Sequence, residues 1–164
     1  MKAAATIRPA TDADVPALGR MAAKLVRMHH ALDPQRFFLV EPLEEGYGRW
    51  LGREAGREGA LVLVAEREGA VVGYAYATME KRDWMALRDA CGALQDIWVD
   101  ENDRRGGVAR ALLEAVIAGL TERGAPRVVL STAARNEGAQ GFFESMGFRR
   151  TMIEMTRELS SSSP

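Results

Sequence analysis

Residues 93–110 constrain this chain most. A hydrophobic stretch, Ala93-Leu94-Gln95-Asp96-Ile97-Trp98-Val99, runs through a short acidic turn into Arg104-Arg105-Gly106-Gly107-Val108-Ala109-Arg110. From there Leu112, Leu113, Val116, Ile117 and Leu120 recur at helical spacing. This reads as a strand, a glycine loop and a helix, which together suit a phosphate group. Glycines let the backbone approach an anion, and the first N–H groups of a helix have no carbonyl partner and point at it. The helix dipole adds partial positive charge, and Arg104, Arg105 and Arg110 add full charges nearby. No Gly-Lys-Ser/Thr follows, so the loop is not a Walker loop. G-x-G-x-x-G is also absent, so it is not a dinucleotide fingerprint.

Around this unit the other elements fall into a single alternating pattern. Residues 4–9 read as a first strand. Thr11 is placed to cap a helix with Asp12 and Asp14 in its first turn. Val15, Leu18, Met21, Ala22, Leu25, Met28 and Leu32 give that helix its apolar stripe, and Asp33-Pro34 ends it. A second helix is expected from Leu43 to Arg53 or slightly beyond. Residues 60–66 and 70–80 read as a hairpin about Arg67-Glu68-Gly69, and 81–92 as an irregular excursion. After the helix that stops near Gly124, residues 127–132 read as a buried strand. Ala139, Phe142, Phe143 and Met146 mark a last helix ended by Gly147, and 148–159 read as a terminal strand. The order β-α-α-β-β-β-α-β-α-β predicts one mixed α/β layer structure over residues 1–159, with 160–164 as a disordered tail.

The 22 basic residues nearly balance the 23 acidic ones, so no global field draws in nucleic acid. No apolar run is long enough for a membrane helix, and the N-terminus has no signal-peptide core. Cys91 is the only cysteine, which rules out an intrachain disulfide and fits a cytoplasmic setting. His29-His30 alone makes no metal site, and no metal is expected.

The spacing Arg104-x-x-Gly107-x-Ala109 resembles the acyl-CoA pyrophosphate signature of the GNAT acetyltransferases, R/Q-x-x-G-x-G/A. About 27 residues further on, Asn136, Ala139, Gly147 and Phe148 match that family's second motif, N-x-x-A-x-x-x-Y-x-x-x-G-F, with Phe143 in place of the usual tyrosine. The resemblance implies a GNAT-like mixed β-sheet flanked by helices, and acetyl-CoA as co-substrate. It also implies direct acetyl transfer to a primary amine of a small molecule or peptide. Main-chain groups of Ile97, Trp98 and Val99 are then expected to pair with the pantetheine arm, and the amides from Arg105 to Ala109 to hold the pyrophosphate. Asn136 is expected beside that arm, with Ala139, Phe142 and Phe143 packing against the cofactor. Family analogy also suggests a homodimer.

Amine acetylation needs a base, because an ammonium with pKa near ~10.4 is almost wholly protonated at neutral pH. Leu94–Val99 is similar to the Leu-Glu-Asp-aromatic-aromatic-Val strand of diamine and polyamine acetyltransferases, with Gln95 where that subfamily has Glu. Gln95 cannot take a proton, so Asp96 is the first candidate for base or amine anchor. Strict alternation puts Gln95 and Asp96 on opposite faces, whereas a bulge breaks that parity. With Phe143 lacking a hydroxyl, Tyr76, Tyr74, Tyr47 or water is left to act as acid. His29, Arg36 and Phe37 at the end of the first helix, with Asp83 and Trp84 of the excursion, are the candidate acceptor contacts. An acyl-CoA-binding sensor with little catalysis is the alternative reading.

Overall fold

The computed structural model describes residues 2–160. A five-stranded sheet forms its centre in the order β1 (Thr6–Pro9), β2 (Ala60–Arg67), β3 (Ala70–Glu80), β4 (Cys91–Val99) and β5 (Val128–Leu130). The first three junctions are antiparallel, and β4 pairs with β5 in parallel. The helices are α1 (Val15–Leu32), α2 (Glu44–Ala55), α3 (Val108–Glu122) and α4 (Glu137–Ser145).

Strand alternation divides the core in two. Val62, Val64, Tyr74, Tyr76 and Trp98 point to one face, where Leu18, Met21 and Leu25 of α1 and Leu51 of α2 cover them. Leu63, Ala65, Ala75, Ala77, Leu94 and Val99 point to the other, against Leu112, Leu113, Val116 and Leu120 of α3 and Phe143 of α4. Because β2 is covered on both faces, its sequence is an unbroken apolar run rather than an alternating one. The helices α1 and α2 approach very closely. A Cβ on Gly19 would lie 2.2 Å from the Glu44 carbonyl oxygen, so only glycine fits there. At the entry to α1, Asp14 accepts bonds from the Thr11 backbone N–H at 2.8 Å and hydroxyl at 3.1 Å, and pairs with Arg8 at 2.7 Å.

The terminal strand expected at 148–159 is not formed. After Gly147 the chain seats Phe148 against Phe143, with ring centroids 5.9 Å apart, and residues 148–158 then run on without sheet pairing. A strand requires a hydrogen-bonded neighbour, which an alternating sequence cannot supply by itself. Here β5 is only three residues long, and its outer edge takes no partner among the described residues. The expected tail beyond Ser160 lies outside the described residues.

Candidate active site

The register of β3 against β4 slips at one point: Tyr76 faces Asp96 and Ala77 faces Leu94, leaving Gln95 as the extra residue of a bulge. Neighbouring residues that would otherwise diverge are thereby brought to one side. The Tyr74 hydroxyl donates to Asp96 Oδ2 at 3.1 Å, and the Gln95 amide donates to Thr78 Oγ1 at 3.0 Å and more weakly to Glu80 Oε1 at 3.4 Å. Tyr74, Thr78 and Glu80 all belong to the same alternation of β3.

Burial pushes the Asp96 carboxyl above the ordinary aspartate range, while the Tyr74 hydrogen bond and the nearby His29 pull it partly back. Burial, and the charge of Asp96, hold the Tyr74 phenol well above its own usual value. Tyr47 is raised too, by burial first and by Asp96 second, so α2 also faces this carboxylate. His29 Nδ1 lies 2.9 Å from the Leu25 carbonyl, which can only accept; Nδ1 therefore carries a proton. The other face of the His29 ring environment is Phe37, with centroids 4.9 Å apart.

The candidate acid Tyr76 is engaged elsewhere. Its hydroxyl donates to Glu54 Oε2 at 2.5 Å, its ring meets Trp50 edge-on at 5.1 Å, and its pKa is pushed up to about 12, chiefly by burial. Phe143 is buried between Phe142 and Phe148. Of the candidate acceptor contacts, His29 and Phe37 come together. Arg36 instead pairs with Glu154. Asp83 turns onto its own loop, accepting from the N–H groups of Met85 and Ala86, and Trp84 is exposed beneath Arg82. Beside Tyr47 a groove of about 390 Å³ opens, lined by Pro42, Leu43, Gly46, Tyr47 and Trp50. Trp50 and Glu54 carry no motif and were not singled out by sequence. Only their place on α2 against the Tyr74–Tyr76 face reveals them.

The glycine loop has the geometry its sequence implies. Arg105 at φ 62° and Gly107 at φ 78° are both left-handed, and such turns direct successive N–H groups into a concavity. Nothing lies within 4 Å of where a Gly107 Cβ would be, so an anion can approach the backbone. The helix opens directly behind, its first backbone bond running from Ala111 N to Gly107 O at 3.0 Å. Val108 is buried and Gly106 and Gly107 carry no side chain, so the backbone is exposed between Arg105 and Ala109. Arg104 does not face the concavity. Its Nε donates to the Val99 carbonyl at 3.0 Å, and its guanidinium stacks on Trp98 at 4.7 Å. Arg110 faces Glu114 at 3.8 Å. Beneath the loop lies Arg67, which the sequence marked only as a turn residue: it is the buried end of β2, pairs with Asp103 at 2.5 Å, and ends with Nη2 3.4 Å from the Cβ position of Gly106.

Parallel pairing of β4 with β5 ends at Leu94. Beyond that point the Asp96–Val99 backbone has β3 on one side only, leaving an open edge between Asp96 and the glycine loop. At the start of α4, Asn136 Oδ1 accepts from Ala139 N at 3.1 Å, so it caps the helix. Among the described residues no group of three or more His, Cys, Asp or Glu side chains is clustered to hold a metal, and no helix is long and apolar enough to cross a membrane.

A mixed sheet opened beside a left-handed glycine loop, with a carboxylate at its bulge, defines an acyl-CoA-type transferase architecture. Residues 25–148 match the acetyltransferase (GNAT) family, and the chain belongs to that family. It is 34% identical over 93 residues to human N-acetyltransferase 8, covering 57% of this chain and 40% of that protein, so it spans less than half the length of this relative. In structure it resembles a mutant form of a Bacillus halodurans protein, with TM-score 0.82 and 22% identity over 94% of this chain and 99% of that one. It also resembles AAC(6')-Iy in complex with the bisubstrate analogue CoA-S-monomethyl-acetylneamine, with TM-score 0.73 and 18% identity over 96% and 99% of the two chains.

Proposed function

We propose that this protein transfers an acetyl group directly from acetyl-CoA to a primary amine of a small molecule or peptide, with Asp96 as the general base. The observation that carries the reading is the bulge at Gln95. It sets Asp96, oriented by Tyr74, at the end of an open strand edge that leads to the glycine loop. The backbone amides from Arg105 to Ala109 would hold the pyrophosphate, and the open edge from Ile97 to Val99 the pantetheine amides, as an added strand does. Asn136, with its Oδ1 engaged in the helix cap, keeps its side-chain N–H₂ for the same arm, next to Ala139 and Phe142. Acetyl-CoA supplies an activated thioester.

The chain's own residues then have one main task, which is to make the amine neutral. A carboxylate whose pKa is raised by burial is a stronger base than an ordinary aspartate, and Tyr74 fixes the direction of its lone pairs. No hydroxyl replaces the usual tyrosine at Phe143, and Tyr76 is tied to Glu54. A thiol with pKa near ~8.5 can nevertheless depart largely as thiolate. The acceptor would enter along the α2 groove past Tyr47 and Trp50, with His29 and Phe37 on the opposite side. That lining is apolar and aromatic, which favours an amine with an apolar body over a polycation.

The test is acetyl-CoA turnover, read by thiol release, against pools of alkyl- and arylalkylamines, polyamines, amino acids and peptides, with CoA binding measured by calorimetry. Turnover that is lost in Asp96→Asn while CoA binding persists supports the reading. Tight CoA binding with no turnover in any pool replaces it with the sensor reading.

A further inference from the structure

We infer that Arg67 is a positioning residue for the diphosphate: buried beneath the glycine loop, it cancels the charge of Asp103 and keeps the floor of the anion site positive. The inference rests on the acyl-CoA reading, because the charge it assigns is the one that the loop's ligand meets.

The loop is entered through Asp100-Glu101-Asn102-Asp103, three carboxylates immediately before a site for an anion. Left unanswered, each repels a diphosphate. Asp100 is answered by Lys24 at 3.0 Å. Asp103 is answered twice, by Arg67 at 2.5 Å from the interior and by Lys2 at 3.0 Å from the surface. Lys2 first, and Arg67 as well, hold the Asp103 carboxyl below its ordinary range against burial, so it is ionised at neutral pH. Two cations against one carboxylate leave a net positive charge under the loop. The arginines that the sequence sets in and beside the loop do not supply a buried one. Arg104 is stacked on Trp98, Arg110 faces Glu114, and Arg105 is exposed, where salt screens it.

Arg67 closes β2 on the same alternation as Leu63 and Ala65, the side that α3 covers, where packing alone calls for an apolar residue. An arginine stands there instead and is only 7% exposed. Burial cannot neutralise a guanidinium, which keeps its proton throughout the range in which proteins fold. Its Nε is sealed from solvent and has no hydrogen-bond partner among the described residues. A buried N–H left in this state costs stability, so the fold itself does not favour the residue. Its position favours it. Nη2 lies 3.4 Å from the Cβ position of Gly106, and the Asp103 carbonyl is 3.5 Å from the same point. The guanidinium thus packs against the loop one residue before Gly107, where the backbone is open to an anion. A buried charge acts through protein rather than water, so its field at the loop is weakly screened.

The experiment is calorimetric binding of CoA by the full chain and by its Arg67→Met and Asp103→Asn variants, each checked for folding by its thermal melt. Arg67→Met leaves Asp103 with Lys2 alone and should weaken CoA binding about tenfold or more. Asp103→Asn removes a carboxylate, keeps an acceptor for Arg67 and leaves the guanidinium charged. It should tighten CoA binding about threefold or more. The opposite signs separate charge from scaffolding, since a pair that only props the loop loses affinity in both variants. Equal or weaker binding by Asp103→Asn, or wild-type affinity in a folded Arg67→Met, would overturn the role of Arg67 and leave the acyl-CoA reading standing. Where Arg67→Met does not fold, the sign of the change in Asp103→Asn decides by itself. A wild type that does not bind CoA would overturn that reading and this inference with it.

Discussion

Tyr74 and Asp96, 22 residues apart in sequence, are joined by a 3.1 Å hydrogen bond across a bulged pair of strands, diagonal to the register in which Asp96 faces Tyr76. That bond stabilises the ionised carboxylate against the burial that raises its pKa. Tyr74→Phe removes the donor and leaves the burial. The acid limb of the kcat/KM–pH profile should therefore move to higher pH, with acetyl-CoA affinity unchanged. An acid limb that stays in place would show that Asp96 is not the group titrating in that profile.

Asp96→Asn keeps the shape of the side chain and removes the base. Turnover should fall by roughly 10²–10⁴-fold, the usual contribution of a positioned base, without a matching loss of CoA binding. The same substitution should raise thermal stability at neutral pH. Since the folded-state pKa of Asp96 is raised, its folded form holds the proton more tightly than the unfolded chain does. Stability is therefore lost as pH rises through that value. Asparagine abolishes this slope, so melting temperatures of the two proteins should converge as pH falls toward 4. Parallel curves at all pH values would count against a buried, ionised Asp96.

At Gly107, φ of 78° and the open space above the Cβ position make separate demands. Gly107→Ala tests the backbone alone and should cost about 1 kcal/mol of stability. Gly107→Glu adds a negative charge at the proposed pyrophosphate position and should weaken CoA binding by at least 100-fold in calorimetry. Micromolar binding by the glutamate variant would move the phosphate site elsewhere.

Asp14 has the opposite titration behaviour to Asp96. Its bonds from Arg8, and from the Thr11 backbone and hydroxyl, lower its pKa from the ordinary 3.8 to about 2, against a smaller desolvation cost. A depressed carboxyl stabilises the fold above its unfolded pKa and loses that contribution as pH falls through its folded one. The window is thus from about pH 4 down to about pH 2, and the amount is on the order of 2 kcal/mol. Urea unfolding across this range should show a steeper acid loss for wild type than for Asp14→Asn. Equal slopes would assign the acid sensitivity to other carboxylates.

Much of the frame was legible in the chain itself. The periodicity of residues 15–32 and 108–120 and the run at 60–66 specify elements through local propensity and side-chain alternation, and the structure forms all three. The glycine loop was equally readable, because left-handed backbone and an exposed helix start are local properties of Arg105–Ala109. Asn136 was legible as a cap for the same reason. The strand at 148–159 was misread because alternation describes what a segment can pair with, whereas pairing depends on whether an edge is available.

Sequence by itself determined the element order as far as the last helix, the loop that suits a phosphate and the identity of the candidate base. The tertiary structure decided which groups meet. One inserted residue at Gln95 reverses side-chain parity along β4 and turns Asp96 toward Tyr74, while the end of β5 pairing at Leu94 leaves the open edge that runs to Val99. The tertiary structure also brings Tyr76 to Glu54, Arg36 to Glu154 and Arg104 back onto Trp98, and places Arg67 beneath the loop. Hydrogen bonds and ion pairs act over a few ångströms in space, and only the register of strands far apart in the chain fixes which partners come within that distance.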